Sequence, residues 1–336
     1  PTMKTETIYE RAYHHSSLKD KSFLITGGSG FIGSNIVEYL LVHGAKKVRV
    51  LDNLANGYKE NIIPFLNHPA FEFMEGDITN ADTCKKAMEG IQFVSHQAAL
   101  GSVPRSLANP LATHHANATG FLNMLWAAKE SGIERIVYAS SSSVYGDSPE
   151  LPKREHVTGN PLSPYAVSKM SNELYAYTFS MHYGMKIIGL RYFNVFGPKQ
   201  NPDNPYAAAI PLFMKALLKN QTAYIYGDGE QSRDFTFVEN AVQANIRALF
   251  TDHKDAFNKV YNIAVGESIS LNKLLEHLMH ITGKSIAPVY KDERPGDVRN
   301  SLADISRAQM YLGYNPLVKV KQGLALTVPW FQKTFC

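Results

Sequence analysis

The sequence is poor in the features that mark several large classes of protein. Among its 336 residues are only two cysteines, Cys84 and Cys336, which lie far apart and without the spacing of metal ligands. No apolar run approaches the roughly 18 residues that a membrane-spanning helix needs. The formal net charge is only +4, which is too small to indicate a nucleic-acid-binding protein. We therefore expect no metal site, no membrane span and no nucleic-acid partner.

The sequence also has no secretory-signal pattern at its N-terminus, no internal repeat and no low-complexity tract. With the low cysteine content, this favours a reducing cytoplasm as the location. What remains is an ordinary globular composition, with 44% hydrophobic and 19% charged residues. Because 336 residues exceed the usual size of one compact unit, we expect a larger and a smaller lobe.

The first half of the chain alternates short apolar runs with segments of helical pattern. The runs predicted as strands are Ser22–Thr26, Lys47–Leu51, Phe71–Glu75, Ile91–Ser95, Glu134–Tyr138 and Lys186–Leu190. Asn117–Lys129 is predicted as one of the intervening helices. Such alternation predicts an α/β fold with a Rossmann-type doubly wound parallel sheet, whose ligand binds at the carboxyl ends of the strands.

A glycine-rich turn follows the first predicted strand directly. Gly27, Gly30 and Gly33 allow a tight turn, close approach of the backbone to a pyrophosphate and close packing of helix on strand. Asp52 ends the second predicted strand, where a carboxylate accepts hydrogen bonds from ribose hydroxyls and repels a 2′-phosphate. Alone, Asp52 fits a loop-capping residue equally well. With the glycines, it predicts a dinucleotide site that favours NAD over NADP.

Tyr165 and Lys169 lie one helical turn apart in Pro161–Lys169, a segment with the features of a helix start. Ser163 can cap such a helix, and Pro164 suits its first position. A free tyrosine has a pKa of about 10, which a neighbouring ammonium lowers, so the phenol can serve as a general acid or base. Taken alone, this spacing more often marks an ordinary pair on a surface helix. Its interpretation depends on the other motifs.

A run of serines, Ser140–Ser143, follows the fifth predicted strand. A hydroxyl at this edge of the sheet can share a proton with Tyr165 or hold a substrate oxygen. Serine runs are more often plain loops, so this motif also gains its meaning from the others.

Together these motifs resemble the extended short-chain dehydrogenase/reductase family. The matching segments are Thr26–Gly33, Asp52, Asp77, Ser140–Gly146 and Tyr165–Lys169, and the resemblance runs from about residue 20 nearly to the C-terminus. Within that family, further segments are similar to the UDP-hexose 4-epimerases, namely Asp52–Leu54, Ser102–Pro104, Arg191–Gly197, Gly227–Gly229 and Arg294–Val298.

The resemblance implies NAD as the cofactor, a UDP-sugar as the substrate and a homodimer as the assembly. Tyr165 would take the proton from the sugar 4-hydroxyl while NAD takes hydride from carbon 4, and hydride would return to the opposite face of the 4-keto sugar. Lys169 would lower the pKa of Tyr165 and hold the nicotinamide ribose. Ser141 is the best match for a serine that bridges sugar and phenol, with Ser142 and Ser143 as site neighbours.

The resemblance also implies two sets of binding residues. Cofactor contacts are expected from Gly27, Gly30, Phe31, Ile32, Asp52, Asn53, Asp77, Ile78, Gln97, Ala98, Asn117, Tyr165, Lys169 and Tyr192. Substrate contacts are expected from Gly101, Ser102, Ser141, Ser142, Ser143, Asn194, Gln200, Ala208, Tyr224, Tyr226, Arg233, Arg294, Asp297 and Ser301. Arg233 and Arg294 would hold the diphosphate, although arginines in loops are more often solvated surface.

One departure from the epimerase pattern concerns the sugar. Ser301 stands where epimerases limited to glucose and galactose carry tyrosine, and a small side chain would leave room for an N-acetyl group on carbon 2. The resemblance thus implies interconversion of UDP-N-acetylglucosamine and UDP-N-acetylgalactosamine, with weaker action on the non-acetylated sugars.

Several alternatives stay open. An epimerase or decarboxylase of UDP-uronic acids is one, because Arg105 or His115 could meet a carboxylate. A nucleotide-sugar dehydratase is another, although that group carries an Asp-Glu pair where this chain has Ser142 and Ser143. A non-catalytic NAD-sensing protein is the third.

After Gly197 the alternation weakens and prolines become frequent, which predicts a smaller mixed α/β substrate lobe. Its elements are helices at Ala207–Lys219, Leu271–Ile281 and Ala303–Leu312 and a strand at Ala223–Tyr226, whereas a helix at Phe237–Phe250 returns to the first lobe. The family pattern implies an NAD-binding domain of residues 1–192 plus about 234–266, and a nucleotide-sugar lobe of residues 193–233 plus about 267–336. Lys4–Leu18 either packs on the sugar lobe or extends the N-terminus.

Overall fold

The structure is a computed structural model that describes residues 7–203, 207–293 and 298–335. Its strands are β1 (Ser22–Thr26), β2 (Lys47–Asp52), β3 (Phe71–Glu75), β4 (Phe93–His96), β5 (Arg135–Ser141), β6 (Ile187–Tyr192), β7 (Val195–Phe196), β8 (Tyr224–Tyr226), β9 (Ser232–Arg233), β10 (Thr236–Phe237), β11 (Lys259–Ile263), β12 (Ile269–Ser270) and β13 (Val289–Lys291). Its helices are α1 (Phe31–Val42), α2 (Ala81–Ala87), α3 (Val103–Ala108), α4 (Pro110–His114), α5 (Gly120–Glu130), α6 (Pro164–Tyr183), α7 (Ala209–Leu218), α8 (Val238–Phe250), α9 (Leu271–Thr282), α10 (Ser306–Leu312) and α11 (Val320–Phe335).

Seven strands form one parallel sheet in the order β11-β6-β5-β4-β1-β2-β3. The central strand β1 pairs with β2 on one side and with β4 on the other. From β1 the chain first moves outward through β2 and β3, and it then crosses to the other side of β1 and moves outward through β4, β5 and β6. The loops that leave these strands at their carboxyl ends therefore separate and leave a crevice. This topology confirms the predicted α/β class with a doubly wound parallel sheet.

Several elements were not predicted, namely the helices α2, α3, α4 and α11 and the short strands β7, β9, β10, β12 and β13, and other elements differ from the prediction at their ends. The seventh strand, β11, was missed because its five residues include Lys259 and Asn262 and do not form an apolar run. The helix predicted from Ala303 begins only at Ser306, because the preceding segment pairs in extended form with Lys153, whose amide donates to the Leu302 carbonyl at 2.7 Å and whose carbonyl accepts from the Asp304 amide at 2.9 Å. A π-helical turn, His115–Thr119, replaces the predicted start of α5.

The helix α6 begins as the sequence predicts. Ser163 is its N-cap, and the Ser163 hydroxyl accepts a hydrogen bond of 3.1 Å from the Ala166 amide. Pro164 occupies the first turn, and Gly184 ends the helix in the left-handed conformation with φ of 64°. The cap places Tyr165 in the first turn of α6, directly beside the end of β5.

Apolar side chains form a core on each face of the sheet and a third core beyond it. Phe23 and Val242 belong to the core beneath α1 and α8, whereas Leu24 and Phe121 belong to the opposite core, since successive residues of a strand face opposite ways. The third core joins α7, α9 and α11 and contains Phe213, Leu217, Phe237, Leu274 and Leu324. The boundaries of the two lobes stay a prediction.

Residues 7–18 pack mainly against helices of the large sheet, and Ile8 also contacts the third core. The Tyr9 hydroxyl donates to Asn35 Oδ1 on α1 at 2.7 Å, and the Tyr13 hydroxyl donates to Glu239 Oε1 on α8 at 2.5 Å. Both tyrosines are buried in the core beneath these helices. Across the described ranges, every helix is too short or too polar to traverse a lipid bilayer.

Candidate active site

A continuous cleft runs across the carboxyl ends of the strands and has four sections. The first, of about 590 Å³, lies over the ends of β1 to β4, and the second, of about 1210 Å³, lies over the start of α1 and beside Lys169. The third, of about 990 Å³, is lined by the serine run and Ser301, and the fourth, of about 850 Å³, lies between α7 and β8. Neighbouring sections share wall residues: Gln97, Tyr165 and Arg233 join them in turn.

Most of the predicted contact residues line this cleft. The first section has Gly27, Gly30, Asp52, Asn53, Asp77, Ile78, Gln97 and Ala98. The second adds Phe31, Ile32, Gly101, Ser102, Ser141, Tyr165, Lys169 and Tyr192. The third adds Ser142, Ser143, Asn194, Arg233 and Ser301, and the fourth adds Gln200, Ala208, Tyr224 and Tyr226. Residues spread over the whole chain thus meet at one edge of the sheet, although their individual roles stay predictions.

The remaining predicted residues are Arg294, Asp297 and Asn117. Arg294 and Asp297 lie outside the described residues. Asn117 is buried behind the cleft, where its side chain accepts from the Leu100 amide at 2.7 Å and donates to the Leu100 carbonyl at 3.1 Å and to Ser168 Oγ at 3.1 Å. Asn117 therefore holds the chain after β4 against α6 and positions the wall of the cleft.

The glycine turn between β1 and α1 is too tight for side chains. Gly27 has φ of 67°, and a Cβ there would lie 2.7 Å from the Ala98 nitrogen. A Cβ on Gly33 would lie 2.2 Å from the Gly27 carbonyl oxygen. Gly30 is the N-cap of α1 and provides no side-chain oxygen for the first amides of that helix. These amides and the positive helix end suit an anion, so the turn fits the pyrophosphate of a dinucleotide.

Two carboxylates stand at the far end of the first section. Asp52 accepts hydrogen bonds from the Ser29 amide at 2.9 Å and the Leu54 amide at 2.8 Å, and burial raises the pKa of Asp52 against the effect of these bonds. Asn53 Nδ2 donates to Asp77 Oδ2 at 2.9 Å. Burial acts to raise the pKa of Asp77, but hydrogen bonds from Thr79 and Asn53 outweigh it and leave that pKa low. This end fits ribose hydroxyls and disfavours a 2′-phosphate.

A buried polar network supports the floor of the second section. The Tyr192 hydroxyl donates to Gln97 Oε1 at 3.1 Å and accepts from Asn245 Nδ2 at 2.7 Å, while Gln97 Nε2 donates to Asn245 Oδ1 at 3.1 Å and to Ser95 Oγ at 3.0 Å. Burial raises the pKa of Tyr192 to about 12, so this phenol stays neutral. The sequence analysis missed Asn245, although an asparagine on the apolar side of a predicted helix is a usable signal.

Lys169 is buried at the end of β5. Its ammonium nitrogen donates to the Ala139 carbonyl oxygen at 2.8 Å and lies 5.9 Å from the centre of the Tyr165 ring. Burial lowers the pKa of Lys169 to about 8, and the Glu173 carboxylate one turn further along α6 opposes this shift. Lys169 is therefore positively charged at neutral pH and is held in one place by the strand.

The pKa of Tyr165 differs from the direction that the Tyr-Lys spacing predicts. Burial raises this pKa, and an interaction with the Ser141 side chain acts only partly against it. The prediction was wrong for the protein alone, because the Lys169 ammonium is held at the Ala139 carbonyl and does not outweigh the loss of solvation around the phenol.

Within the serine run, Ser141 is the residue beside Tyr165. Ser141 lines both the second and the third section, whereas Ser142 and Ser143 line only the third. Ser141 Oγ accepts a hydrogen bond from the Ser143 amide at 3.1 Å and lies 2.9 Å from Ser143 Oγ. Ser140 is engaged elsewhere, since its hydroxyl donates to Glu173 Oε1 at 2.5 Å.

Glu173 and Arg191 form an ion pair behind the site that the sequence analysis missed. The Arg191 guanidinium makes a two-point contact with the carboxylate, with Nε–Oε1 and Nη2–Oε2 distances of 2.8 and 2.7 Å. Glu173 also binds Ser140 and acts on the charge of Lys169. Its spacing was a signal, because positions 165, 169 and 173 share one face of α6.

The third section joins the serine run to the second half of the chain. Ser301 is 9% exposed, and its amide donates to the Ser232 carbonyl at 3.0 Å. Arg233 Nη1 donates to the carbonyl oxygens of Ser232 and Arg299 at 2.9 and 3.1 Å. No carboxylate is among the described residues that line this section. In the same described part of the chain, no group of histidine, cysteine and carboxylate side chains is suited to a metal ion.

Comparison with known proteins agrees with this site. The model of the NAD dependent epimerase/dehydratase family matches residues 23–264, which is most of the chain. The protein belongs to this family, as its resemblance implied, and its cofactor is NAD. The glycine turn, the uncapped start of α1 and the two carboxylates at the end of the first section fit that cofactor.

Individual relatives cover nearly the full length. A putative UDP-glucose 4-epimerase of Methanocaldococcus jannaschii is 37% identical over 92% of this chain and 98% of its own. A UDP-glucuronate 4-epimerase of Thermodesulfobacterium geofontis is 37% identical over 92% of this chain and 95% of its own. Among solved structures, UDP-N-acetylglucosamine 4-epimerase from Methanobrevibacter ruminantium M1 in complex with UDP-N-acetylmuramic acid superimposes with a TM-score of 0.89 at 42% identity, over 94% of this chain and 100% of that chain.

Proposed function

We propose that the protein is a UDP-sugar 4-epimerase that interconverts UDP-N-acetylglucosamine and UDP-N-acetylgalactosamine and acts more weakly on UDP-glucose and UDP-galactose. The observation that carries the sugar preference is the position of Ser301 in the third section, whose wall also contains Ser141 and Tyr165. A tyrosine at this position would fill space beside the sugar, whereas serine leaves that space for an N-acetyl group. The solved relative at 42% identity, which is a UDP-N-acetylglucosamine 4-epimerase, supports the same preference.

The residues of the cleft suit the proton steps of this reaction. When bound, NAD accepts a hydride from carbon 4 of the sugar and later returns it. Tyr165 takes the proton of the 4-hydroxyl, directly or through Ser141, and gives it back after the ketone has turned over. Lys169 provides a fixed positive charge between this phenol and the end of β5. Arg233 holds the diphosphate, so the sugar can rotate without leaving.

The lining of the third section argues for epimerisation over elimination. A nucleotide-sugar dehydratase needs an acid and a base to remove water from the sugar. The described residues around this section include no aspartate or glutamate, and the carboxylate positions of the dehydratases are occupied by Ser142 and Ser143. Epimerisation needs only one proton-transfer group, for which Tyr165 is sufficient.

A second candidate is 4-epimerisation of a UDP-uronic acid. Lys153 also lines the third section, is 5% exposed and donates from Nζ to the Ser148 carbonyl oxygen. A buried ammonium at this place could pair with a sugar carboxylate. A relative that is 37% identical to this chain is a UDP-glucuronate 4-epimerase, which also supports this second candidate.

The proposed assembly is a homodimer formed through α6 and its neighbours. Val167, Leu174 and Met181 recur every seven residues on α6, and all three are more than half exposed. Trp126 on α5 and Leu111 on α4 are exposed large apolar side chains near this stripe. Light scattering should give a dimer for the protein and a monomer for Leu174→Glu, whereas a monomeric wild-type protein would contradict the proposal.

The first experiment incubates purified protein with UDP-N-acetylgalactosamine, UDP-galactose or UDP-glucuronate without added NAD, with Tyr165→Phe as the inactive control. We expect UDP-N-acetylgalactosamine and UDP-galactose to be converted to their gluco epimers, the acetylated sugar faster, whereas UDP-glucuronate, which already has the gluco configuration, would be converted to its galacto epimer if the second candidate were correct. Conversion of UDP-galactose alone would remove the N-acetyl preference. Conversion of UDP-glucuronate alone, lost in Lys153→Met, would establish the second candidate. No conversion of any sugar by protein that carries NAD would overturn the epimerase proposal.

A further inference from the structure

The loops on either side of the glycine turn are joined by a hydrogen bond. The central strand β1 lies between β2 and β4, so the loops after β2 and β4 flank the turn that follows β1. Asn56 belongs to the first of these loops, and Arg105 belongs to α3, which follows the second. Arg105 Nη1 donates to Asn56 Oδ1 at 2.5 Å. We call this pair the Asn56–Arg105 bridge, and both of its residues line the second section of the cleft together with Gly27 and Gly30.

The bridge brings a positive charge to the region that suits a pyrophosphate. Among the described residues that line the first and second sections, the cationic side chains are Arg105 and Lys169. The Lys169 ammonium is hydrogen-bonded to the Ala139 carbonyl and lies beside Tyr165. Of these two cations, Arg105 is the one that bonds to Asn56, and Asn56 lines both the first and the second section together with Gly27 and Gly30. A pyrophosphate carries two negative charges, and the helix amides alone offer only partial positive charge.

The backbone holds Arg105 in place. Ser102, the N-cap of α3, has φ of 108°, which is unusual for a residue other than glycine, and its hydroxyl accepts from the Arg105 amide at 3.3 Å. Strained residues of this kind persist where the surrounding structure requires them, often at ligand sites. The cap fixes the start of α3, and the bond to Asn56 fixes the end of the arginine side chain.

We propose that Arg105, oriented by Asn56, binds the pyrophosphate of NAD and that the Asn56–Arg105 bridge slows release of the cofactor. A guanidinium has five N–H donors, so a bond to Asn56 is compatible with bonds to phosphate oxygens. The inference rests on NAD binding and on the retained-cofactor reaction proposed above, not on which sugar is used. A cofactor that is reduced and reoxidised within one turnover has no reason to leave, and a slow release rate keeps the enzyme loaded.

The bridge also bears on the alternative role of Arg105 as a partner for a uronic acid. Arg105 lines the second section but not the third, which holds Ser301 and Lys153. The geometry thus associates Arg105 with the cofactor rather than with the carboxylate of a sugar. The two roles predict different results for the same variants.

The test measures how fast NADH leaves the protein. Protein loaded with NADH is mixed with excess NAD, and loss of the bound NADH fluorescence gives the release rate. We expect Arg105→Met to release NADH about tenfold faster or more, as for loss of a charge-assisted hydrogen bond. Arg105→Lys keeps the positive charge but loses the planar guanidinium, so its NADH release rate should lie between those of the wild-type protein and Arg105→Met. Release from the wild-type protein should accelerate with salt more than release from Arg105→Met.

The double variant tests whether the two residues act together. Asn56→Ala should also release NADH faster, and adding it to Arg105→Met should change little, because the orienting residue then has nothing to orient. Arg154→Met is the matched control: Arg154 is an exposed arginine that pairs with Glu150 and Asp304 at 3.7 Å and does not line the cleft, so NADH release should not change.

A wild-type NADH release rate in folded Arg105→Met would overturn the proposal. If the same variant also bound UDP-glucuronate more weakly, Arg105 would be assigned to the substrate. If Arg105→Met does not fold, Arg105→Lys and Asn56→Ala decide the question by the same measurement. Failure of the proposed sugar preference would show only in the sugar conversions and would leave these release rates unaffected.

Discussion

The ammonium nitrogen of Lys169 lies 5.9 Å from the centre of the Tyr165 ring and is tied to the Ala139 carbonyl oxygen at 2.8 Å. The two residues of the motif therefore do not form a direct pair in the protein alone. Burial dominates both, since it raises the pKa of the phenol and lowers that of the ammonium to about 8. Proton transfer at this site therefore depends on how far bound NAD and substrate change the raised pKa of Tyr165 and the lowered pKa of Lys169.

Replacement of Tyr165 by phenylalanine should abolish most of the activity without weakening substrate binding. The phenol is the proton-transfer group in the cleft, and loss of such a group typically reduces the rate by about 10² to 10⁴-fold. Chromatographic assay of Tyr165→Phe should show this fall in kcat with KM changed by less than about threefold. NADH binding serves as the control for an intact fold. Retention of more than about a tenth of the wild-type kcat would contradict the assignment.

In protein freed of NAD, the Tyr165 phenol should remain protonated throughout the neutral range. Burial raises its pKa above the value of about 10 for a free tyrosine, and the Ser141 interaction reduces the shift only in part. The absorbance of phenolate in the wild-type protein minus that in Tyr165→Phe should stay at baseline below about pH 10. A titration step near pH 7 in this difference would show instead that Lys169 controls the phenol even without the cofactor.

The serine run should divide into one residue that affects the rate and one that does not. Ser141 shares two sections of the cleft with Tyr165, whereas Ser142 lines only the third. Ser141→Ala should lower kcat by about 10 to 100-fold, since it removes one neutral hydrogen-bonding group at the reacting oxygen. Ser142→Ala is the matched control and should stay within about threefold of wild type. The reverse order would move the assignment to Ser142.

Replacement of Ser301 by tyrosine should separate the two classes of sugar. The larger side chain would occupy the space beside Ser141 and Asn194 in the third section. We expect kcat/KM for UDP-N-acetylgalactosamine to fall by about 100-fold or more, while that for UDP-galactose changes little, because a steric clash of this size costs several kcal/mol. The galactose substrate is the internal control. An equal loss for both sugars would indicate general damage, and no loss for either would remove Ser301 from the sugar site.

The pH dependence of stability should contain a contribution from Asp234. Burial raises the pKa of Asp234 to about 6, against hydrogen bonds from the Val265, Ala303 and Gly266 amides. The unfolded value is about 3.9, so between about pH 4 and pH 6 the folded state binds more protons than the unfolded state. The stability that this group contributes is thus fully present below about pH 4 and is lost as the pH rises to about 6.

The measurement compares urea unfolding of the wild-type protein and Asp234→Asn from pH 4.5 to pH 7. The free energy of unfolding of the wild-type protein minus that of Asp234→Asn should fall by about 2 kcal/mol across this range and then level off. This size follows because one pKa unit corresponds to about 1.4 kcal/mol. Other carboxyl groups cancel in the difference. A difference that is constant with pH, or one that grows as the pH rises, would contradict the raised pKa.

The sequence predicted those parts of the protein that depend on local pattern. The glycine turn, the cap of α6 by Ser163 and the six strands of the first half follow from residue types within one or two turns of chain, and the structure confirms them. The strand β11 escaped because it lacks an apolar run and is stabilised by its pairing with β6, which is distant in sequence. Whether this segment forms a strand therefore depends on its pairing with β6, which a pattern of nearby residues cannot show.

What the sequence by itself determined is the class of fold, the dinucleotide turn and the identity of the groups available for chemistry, because these depend on periodicity and on residue type. The tertiary structure alone decided where the charges lie and how they are balanced. It ties Lys169 to Ala139, places Glu173 behind Ser140 and joins Arg105 to Asn56. Burial and pairing depend on which distant segments pack together, and they therefore set the pKa values of the site in a direction that spacing along one helix could not predict.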